Sequence, residues 1–264
     1  MKAQVLDLVR KGHLRYARKD LPSRLAIYFH ELEKAQMPAF IDAMFHFQEL
    51  GYRFADPRTY VYDDACDEKL LFVSFDDNFK NWYNALDVLE ACGASCTFYV
   101  NSGLFRDVAA PREISDYFDR IRYFGERKTL SRPELREMAD RGHTIGCHTH
   151  THPMLSQTPR QNWYEEIVGS KRILEDIVGR PVLDFSFPFG MRRHFSNDLR
   201  DYCASVGFKT IVTGISGQLH ANAVDPLTIH RTEWKFELDL EDNIANLEID
   251  SRLYATLCGR SAVG

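Results

Sequence analysis

The sequence lacks any apolar run long enough to span a bilayer. Near Met1 it also lacks the uninterrupted apolar segment and small-residue cleavage site of a secretory signal peptide. We therefore expect a cytoplasmic protein. Positive charge is not in excess either, since 33 Lys and Arg residues face 38 Asp and Glu, for a formal net charge of -5. Without a polycationic footprint, nucleic acid is not an expected partner.

Cysteine pairs of the zinc-ribbon type are also missing. Of the six cysteines, only Cys92 and Cys96 are close in sequence, and no second pair completes such a pattern. We expect reduced thiols that behave as small apolar side chains, in keeping with a reducing compartment.

Basic residues are concentrated at the N-terminus, among scattered apolar positions: Lys2, Arg10, Lys11, Arg15, Arg18 and Lys19. We predict a basic helical extension over residues 1–23, followed by a single domain over residues 24–264. A solvated helix is the preferred interpretation. A basic amphipathic helix that contacts a membrane surface is the alternative.

The remaining chain, with 44% hydrophobic and 27% charged residues overall, has the composition of a globular α/β protein. About seven strand-like segments alternate with helical ones, which implies parallel strands joined by crossover helices. We expect a distorted (β/α)7 barrel rather than an open doubly wound sheet. Residues 101–129 form an unusually long connection, which we expect to be a lid or wall of a site.

A continuous apolar segment, Leu70–Phe75, ends in the adjacent carboxylates Asp76 and Asp77. Its continuity predicts a strand that is buried on both faces. Two neighbouring carboxylates repel each other unless a cation or proton lies between them, so a metal bound by one of them is one interpretation. The alternative is a plain turn followed by a helix N-cap, for which Asp is also suited.

A histidine cluster favours the metal interpretation. His148 and His152 lie in a turn directly after a predicted strand, and His150 between them is expected to point away. Two imidazoles and one carboxylate leave coordination positions open, as in a catalytic zinc site. Because the carboxyl ends of parallel strands converge on one face, the carboxylates and histidines are expected to meet there.

Three segments together resemble the polysaccharide deacetylases with a NodB-homology domain, carbohydrate esterase family four. Ser74-Phe75-Asp76-Asp77-Asn78 is similar to the family's first motif, Thr-Phe-Asp-Asp-Gly. His148-Thr149-His150-Thr151-His152 matches the second, His-Thr-x-x-His. Ser186-Phe187-Pro188-Phe189-Gly190 keeps the Pro-aromatic-Gly core of the third but lacks its arginine. The resemblance implies the deacetylase type of barrel.

The resemblance also implies residue roles. Asp76 is then the catalytic base, and Asp77, His148 and His152 are the metal ligands. Pro188 and Phe189 belong to the substrate and oxyanion region, where a backbone N–H near Phe189 is expected to help to stabilise the oxyanion.

The missing arginine is one departure from the family pattern, and the poor match of Ile229-His230-Arg231 to the family's C-terminal Leu-x-His is another. Both resemble the circularly permuted poly-N-acetylglucosamine deacetylases. In that branch the acid histidine follows the first strand, and Tyr28-Phe29-His30-Glu31 is similar to that element. We therefore assign the general acid to His30 rather than to His230, and Arg231 is a candidate for the missing arginine. For both His30 and Arg231 a structural role is the alternative.

The resemblance implies a metal-dependent hydrolase that removes an N-acetyl group from an amino sugar in a polysaccharide, oligosaccharide or glycan precursor. Zinc is the expected metal, and cobalt, nickel and iron also suit this ligand set. Two other functions remain open at this point. One is deformylation or hydrolysis of another linear amide at the same site, and the other is a degenerate domain that binds carbohydrate without hydrolysing it.

Overall fold

The computed structural model describes residues 21–63, 68–216 and 224–247, together with Gly12. The N-terminal extension predicted over residues 1–23 falls almost entirely outside these ranges, as do Cys66 and Cys258. The boundary between that extension and a domain over residues 24–264 therefore stays a prediction.

A parallel sheet forms the centre of the molecule, and in the described ranges it contains nine strands. Their bounds are β1 Arg24–Phe29, β2 Tyr52–Phe54, β3 Lys69–Asp77, β4 Thr97–Val100, β5 Thr144–Cys147, β6 Asp184–Ser186, β7 Thr210–Thr213, β8 Ile229–His230 and β9 Thr232–Glu233. Eight of them follow the order β8-β7-β6-β5-β4-β3-β1-β9, and β2 pairs with β3 outside this path.

The last two strands nearly close this sheet into a barrel. β8 pairs with β7 at one end of the path, and β9 pairs with β1 at the other. Because only Arg231 separates β8 from β9 in sequence, one short segment connects the two edges. The expected α/β barrel is confirmed, and its closing segment, for which the sequence pattern of Leu227 to Arg231 predicts one strand, is divided into β8 and β9.

Helices connect the strands in the order that parallel pairing requires. Their bounds are α1 Met37–Glu49, α2 Pro57–Tyr62, α3 Lys80–Asn84, α4 Leu86–Ala91, α5 Pro111–Arg120, α6 Arg132–Asp140, α7 Ser170–Val178 and α8 Asn197–Val206. A further helix runs from residue 240 to at least residue 247. No helix within the described ranges is long and apolar enough to cross a membrane.

Aromatic side chains fix the register of the strands that carry the site. Phe75 of β3 stacks on Phe29 of β1 and on Phe98 of β4, with ring centroids 5.2 and 5.1 Å away. All three are buried, and Phe40 of α1 packs against Phe29. Because side chains alternate along a strand, Ser74 and Asp76 point to the opposite face. Truncating such a ring costs about 3–5 kcal/mol, so this row strongly stabilises the barrel.

Two local differences from the sequence expectations have identifiable causes. The stretch 52–69, expected to be irregular, contains β2 and also α2, which Asp56 caps through the backbone N–H groups of Arg58 and Thr59. The long helix expected over residues 158–178 is regular only in α7. A π-helical turn, Tyr164–Gly169, precedes it, and Glu166 of this turn accepts hydrogen bonds from the histidine loop.

Candidate active site

A cleft of about 770 Å³ opens where the strands end at their carboxyl sides. Side chains that follow β1, β3, β5 and β6 line one part of it, and residues 120–123 line another. The long connection 101–129 therefore contributes a wall of the cleft through the end of α5, as its length suggested.

Three side chains that were predicted to bind a metal converge in this cleft. His152 Nε2 lies 3.1 Å and His148 Nε2 lies 3.7 Å from Asp77 Oδ1. The ligand atoms of the three residues are all within 4.8 Å of one another, and all three residues are buried. The separation of these atoms suits shared coordination of one cation.

The backbone takes uncommon conformations to place these ligands. Asp77 has φ 90°, Thr149 has φ 70° and His152 has φ 60°, a region that side chains with a Cβ rarely adopt. Thr149 Oγ1 accepts a hydrogen bond from the backbone N–H of His152, which fixes the tight turn between the two histidines. Such strain is typical of functional sites, where the surrounding structure holds it in place.

Additional hydrogen bonds orient the predicted metal ligands and the loop that carries them. His148 Nδ1 lies 2.8 Å from the carbonyl oxygen of Ser186 and donates to it, so Nε2 keeps its lone pair for a metal. The loop backbone is held by Glu166, which accepts from the N–H groups of His150 and Thr151 at 3.0 and 2.9 Å. His150 itself lies 2.9 Å from Ser102 Oγ through its Nδ1 atom, outside the three-ligand group.

The donor set fits a divalent cation. Asp77 Oδ1 is buried and accepts no regular hydrogen bond from the described residues, yet it faces two imidazole nitrogens. An unsatisfied carboxylate oxygen in this position is costly unless a cation is bound there. Burial lowers the pKa of His148 to about 4, so its ring is neutral and able to act as a ligand.

Asp76, the predicted base, is held by a different partner. Arg231 donates from Nη1 to Asp76 Oδ1 at 2.7 Å and from Nη2 to Asp76 Oδ2 at 2.6 Å. Ser186 Oγ donates to Oδ2 at 3.0 Å. Burial alone would raise the pKa of Asp76, but the Arg231 guanidinium outweighs burial and lowers that pKa. The carboxylate is thus kept ionised and in one orientation without being part of the three-ligand group.

Arg231 is itself fully enclosed. Its side chain is 0% exposed. Its remaining donors reach Ser74 Oγ at 2.9 Å and the carbonyl oxygen of Thr213 at 3.2 Å, and its guanidinium lies 4.6 Å from the centre of the Tyr28 ring. The third motif lacks its arginine, and here Arg231, between β8 and β9 in the segment that closes the barrel, contacts Asp76 instead.

His30 lies at the cleft after the end of β1. Its Nδ1 is 3.5 Å from Glu233 Oε1, and its side chain remains 38% exposed. Loss of solvation alone would lower the pKa of His30. The contact with Glu233 and the charges of Asp77 and Asp76 outweigh this effect and raise the pKa to about 9. The ring is thus protonated at neutral pH. By contrast, His230 packs against Thr213 Oγ1, and burial lowers its pKa to about 4.

The Pro-Phe-Gly segment forms the wall next to His152. The Phe189 ring lies 4.7 Å from the His152 ring, and Phe189 adopts φ 64°. Gly190 is required here, because a Cβ at this position would come within 2.5 Å of the backbone nitrogen of Gly214. Pro188 precedes this turn and is not among the described residues that line the cleft.

Several site residues had no sequence motif to reveal them. Glu233, Ser186 and Glu166 contact His30, Asp76 and the histidine loop. One indication was available for Glu233, since it is an acidic residue at the end of the last strand. Serines and glutamates are too common for the other two to be singled out.

A barrel with buried carboxylates and imidazoles at its carboxyl mouth defines a class of α/β proteins with a potential metal site. A family model described as polysaccharide deacetylase matches residues 63–211. Because this match covers more than half of the chain, the protein belongs to the polysaccharide deacetylase family, as the sequence motifs predicted.

Individual relatives are distant. YxkH of Bacillus subtilis (strain 168), a protein named for the same family, is 23% identical over 145 residues. That match covers 53% of this chain, and the chain spans only 45% of the relative's length.

Solved structures share the fold. The Streptococcus pyogenes deacetylase PplD, solved in complex with acetate, is 19% identical with a TM-score of 0.68, over 85% of this chain and 97% of that one. IcaB from Ammonifex degensii is 16% identical with a TM-score of 0.66, over 87% and 97% of the two chains. At these identities the likeness establishes the barrel and not the activity.

Proposed function

We propose that this protein is a metal-dependent hydrolase that removes the N-acetyl group from an amino sugar in a polysaccharide, oligosaccharide or glycan precursor. One observation carries the proposal above all others. A carboxylate held ionised by Arg231, Asp76, lies directly beside the group Asp77, His148 and His152, in one cleft. This arrangement separates a base from a metal site, as metal-assisted hydrolysis of an amide by an activated water uses.

Asp77, His148 and His152 would hold the metal. Zinc suits two imidazoles and a carboxylate, and the same set also accepts cobalt, nickel or iron. A cation bound there would supply Lewis acidity, by polarising the amide carbonyl and lowering the pKa of the attacking water.

The protein's own residues supply the proton transfers. Asp76 takes the proton of the attacking water as general base, and Arg231 holds its carboxylate in the required orientation. His30, protonated through its contact with Glu233, delivers a proton to the departing amine. An amine needs that proton because its anion is a very poor leaving group. We expect a backbone N–H near Phe189 to help to stabilise the oxyanion.

The missing third-motif arginine was the best argument for a degenerate binding domain. Arg231 removes much of that argument, because it contacts both oxygens of Asp76 from a different part of the sequence. A domain that only binds carbohydrate has little use for a buried, ionised carboxylate beside a metal site.

Metal analysis combined with product release tests the proposal. The purified protein should contain about one divalent metal per chain and release acetate from N-acetylated glycans. His148→Ala should lose both the metal and the activity, whereas His150→Ala, in the same loop but outside the ligand group, should keep the metal.

Each alternative has its own result. Formate release in place of acetate would favour a deformylase. Glycan binding without acetate release would favour a binding domain. Stoichiometric metal in His148→Ala would contradict the ligand set.

A further inference from the structure

Three arginines on the rim of the cleft have no carboxylate partner among the described residues. Arg120, Arg122 and Arg193 all line the cleft and are exposed. Elsewhere on the surface, the exposed Arg53 and the half-buried Arg141 contact carboxylates, whereas the exposed Arg160, Arg172, Arg180 and Arg192 also lack a carboxylate partner among the described residues. Three arginines without a carboxylate partner thus lie on the lining of one cleft, in a chain with a net charge of -5.

Arg120 is anchored beside the predicted metal site. Its Nη2 atom donates a hydrogen bond to the carbonyl oxygen of Thr151 at 2.6 Å, and Thr151 directly precedes the ligand His152. A guanidinium has five N–H donors, so this single bond leaves most of them free for a ligand. The bond also holds the side chain in place before any substrate arrives.

Arg193 lines the cleft from another segment of the chain. Its Nε atom lies 3.0 Å from His194 Nε2, and the His194 ring lies 5.3 Å from the Phe189 ring. Phe189 in turn packs at 4.7 Å against His152. Two guanidinium groups from different segments are thus connected through short contacts to one side of the metal site.

Arg122 adopts a backbone conformation in which glycine is the most common residue. It follows the end of α5 with φ 58°, the left-handed conformation that commonly ends a helix. A residue with a Cβ is less stable there than glycine, by about 1 kcal/mol or more. An arginine at such a position, facing a cleft, agrees with a use for its side chain that outweighs this cost.

Neighbouring carboxylates do not cancel this charge. Outside the catalytic pair of aspartates, Glu31 and Glu233 also line the cleft. Glu233 lies 3.5 Å from His30 Nδ1, and Glu31 accepts a hydrogen bond from Gln36 Nε2 at 3.2 Å. Neither carboxylate forms an ion pair with Arg120, Arg122 or Arg193 among the described residues, which leaves the three guanidinium groups available to substrate.

We propose that the physiological substrate carries an anionic group, a phosphate or a carboxylate, close to the N-acetylated amino sugar, and that Arg120, Arg122 and Arg193 bind it. Guanidinium groups match the planar geometry and charge of both anions and form strong charge-assisted hydrogen bonds with them. This inference rests on the proposed deacetylase function and names the substrate class of that same cleft.

A matched substrate series tests the inference and separates the two anion sources. Acetate release is measured with N,N'-diacetylchitobiose, with the same disaccharide carrying a 1-phosphate, and with an N-acetylglucosamine disaccharide whose neighbouring sugar is a uronic acid. At low salt, at least one anionic substrate should have a kcat/KM about 10- to 100-fold above that of the neutral one. Raising the ionic strength to about 0.5 M should reduce that preference.

Variants identify the residues responsible. Arg120→Gln, Arg122→Gln and Arg193→Gln should each reduce the ratio of anionic to neutral kcat/KM by about three- to tenfold. Arg122→Lys should restore part of the ratio, because it keeps the charge and loses the planar fork. Arg112→Gln is the matched control, since Arg112 lies at the other end of α5 and contacts Asp116. It should leave the ratio unchanged.

The outcomes separate this inference from the function on which it rests. Equal kcat/KM for all three substrates, or a preference that survives in the triple arginine variant, would overturn the inference and leave the deacetylase function intact. A metal-loaded enzyme that releases acetate from none of the three would overturn both.

Discussion

Two carboxylates are buried in the barrel, and their surroundings differ. Asp76 lies near the carboxyl end of β3 and receives two hydrogen bonds from Arg231. Asp184 begins β6, is 2% exposed, and receives one hydrogen bond from Thr210 Oγ1 at 2.7 Å. Burial raises the pKa of Asp184 to about 6, whereas Arg231 overcomes burial and lowers the pKa of Asp76.

The difference shows that the mouth of the barrel stabilises an ionised carboxylate. Both carboxylates lose solvation, but only Asp76 is given a buried cation in return. Ser186, two residues after Asp184 on the same short strand, already donates to Asp76. Asp184 and Ser186 are thus only about 7 Å apart along β6. Over that distance the surroundings change from ones that favour a neutral carboxylic acid to ones that keep the Asp76 carboxylate ionised.

The largest effect on activity is expected when Asp76 loses its charge. Asp76→Asn should keep the metal but lower kcat by about 10²- to 10⁴-fold, because the proton acceptor is gone. Steady-state acetate release together with metal content measures this. Asp77→Asn is the informative neighbour, since it should lose metal as well as activity. Near-normal turnover in Asp76→Asn would remove Asp76 as the base.

Removing the compensating cation should be the next largest effect. Arg231→Met leaves Asp76 buried without a cationic partner and should lower the free energy of unfolding by about 3–5 kcal/mol at pH 7. Urea denaturation measures the loss. Arg231→Lys keeps a charge but not the two-point contact, so we expect an intermediate stability. An Arg231→Met protein as stable as the wild type would mean that the pair does not hold the barrel closed.

At Asp184, a substitution should change the free energy of unfolding in the opposite direction. Its pKa is higher in the folded protein than in the unfolded chain, so its contribution to stability falls as the pH rises from about 4 to about 6. Asp184→Asn removes this penalty and should raise the free energy of unfolding by about 2–3 kcal/mol at pH 8 and by little at pH 4. Urea denaturation at both values checks this. A loss of stability at pH 8 would contradict it.

The smallest effect is expected at Glu233. A general acid works only when protonated, so activity should fall as the pH rises through the His30 pKa of about 9. Glu233→Gln removes the closest negative partner and should move this alkaline limb of kcat/KM down by about one pH unit. Activity near pH 6 should change little. An unmoved alkaline limb would separate Glu233 from the protonation of His30.

Much of this architecture could be predicted from the sequence because it depends on short segments. The apolar run before Asp76 and the spacing of His148 and His152 identify two strand ends, and parallel topology then brings them together. The same topology placed His30 at this mouth, since it also follows a strand.

The rest depends on contacts between distant segments. Arg231 reaches Asp76 because the closing segment divides into β8 and β9 around it, and nothing in the local sequence marks that division. A π turn stands in place of a regular helical turn at Tyr164–Gly169, and its Glu166 accepts a hydrogen bond from the histidine loop. A local pattern predicts an ordinary helix there, because it contains no information on that tertiary partner.

The most direct test of the account is anomalous X-ray diffraction at the zinc edge, from crystals of the protein grown with zinc. We expect one peak within about 2.0–2.2 Å of a carboxylate oxygen of Asp77 and of a ring nitrogen of both His148 and His152. Asp76 should remain bound to Arg231 and outside the coordination sphere. A peak ligated by Asp76, or one located away from these three side chains, would contradict the separation of base and metal site.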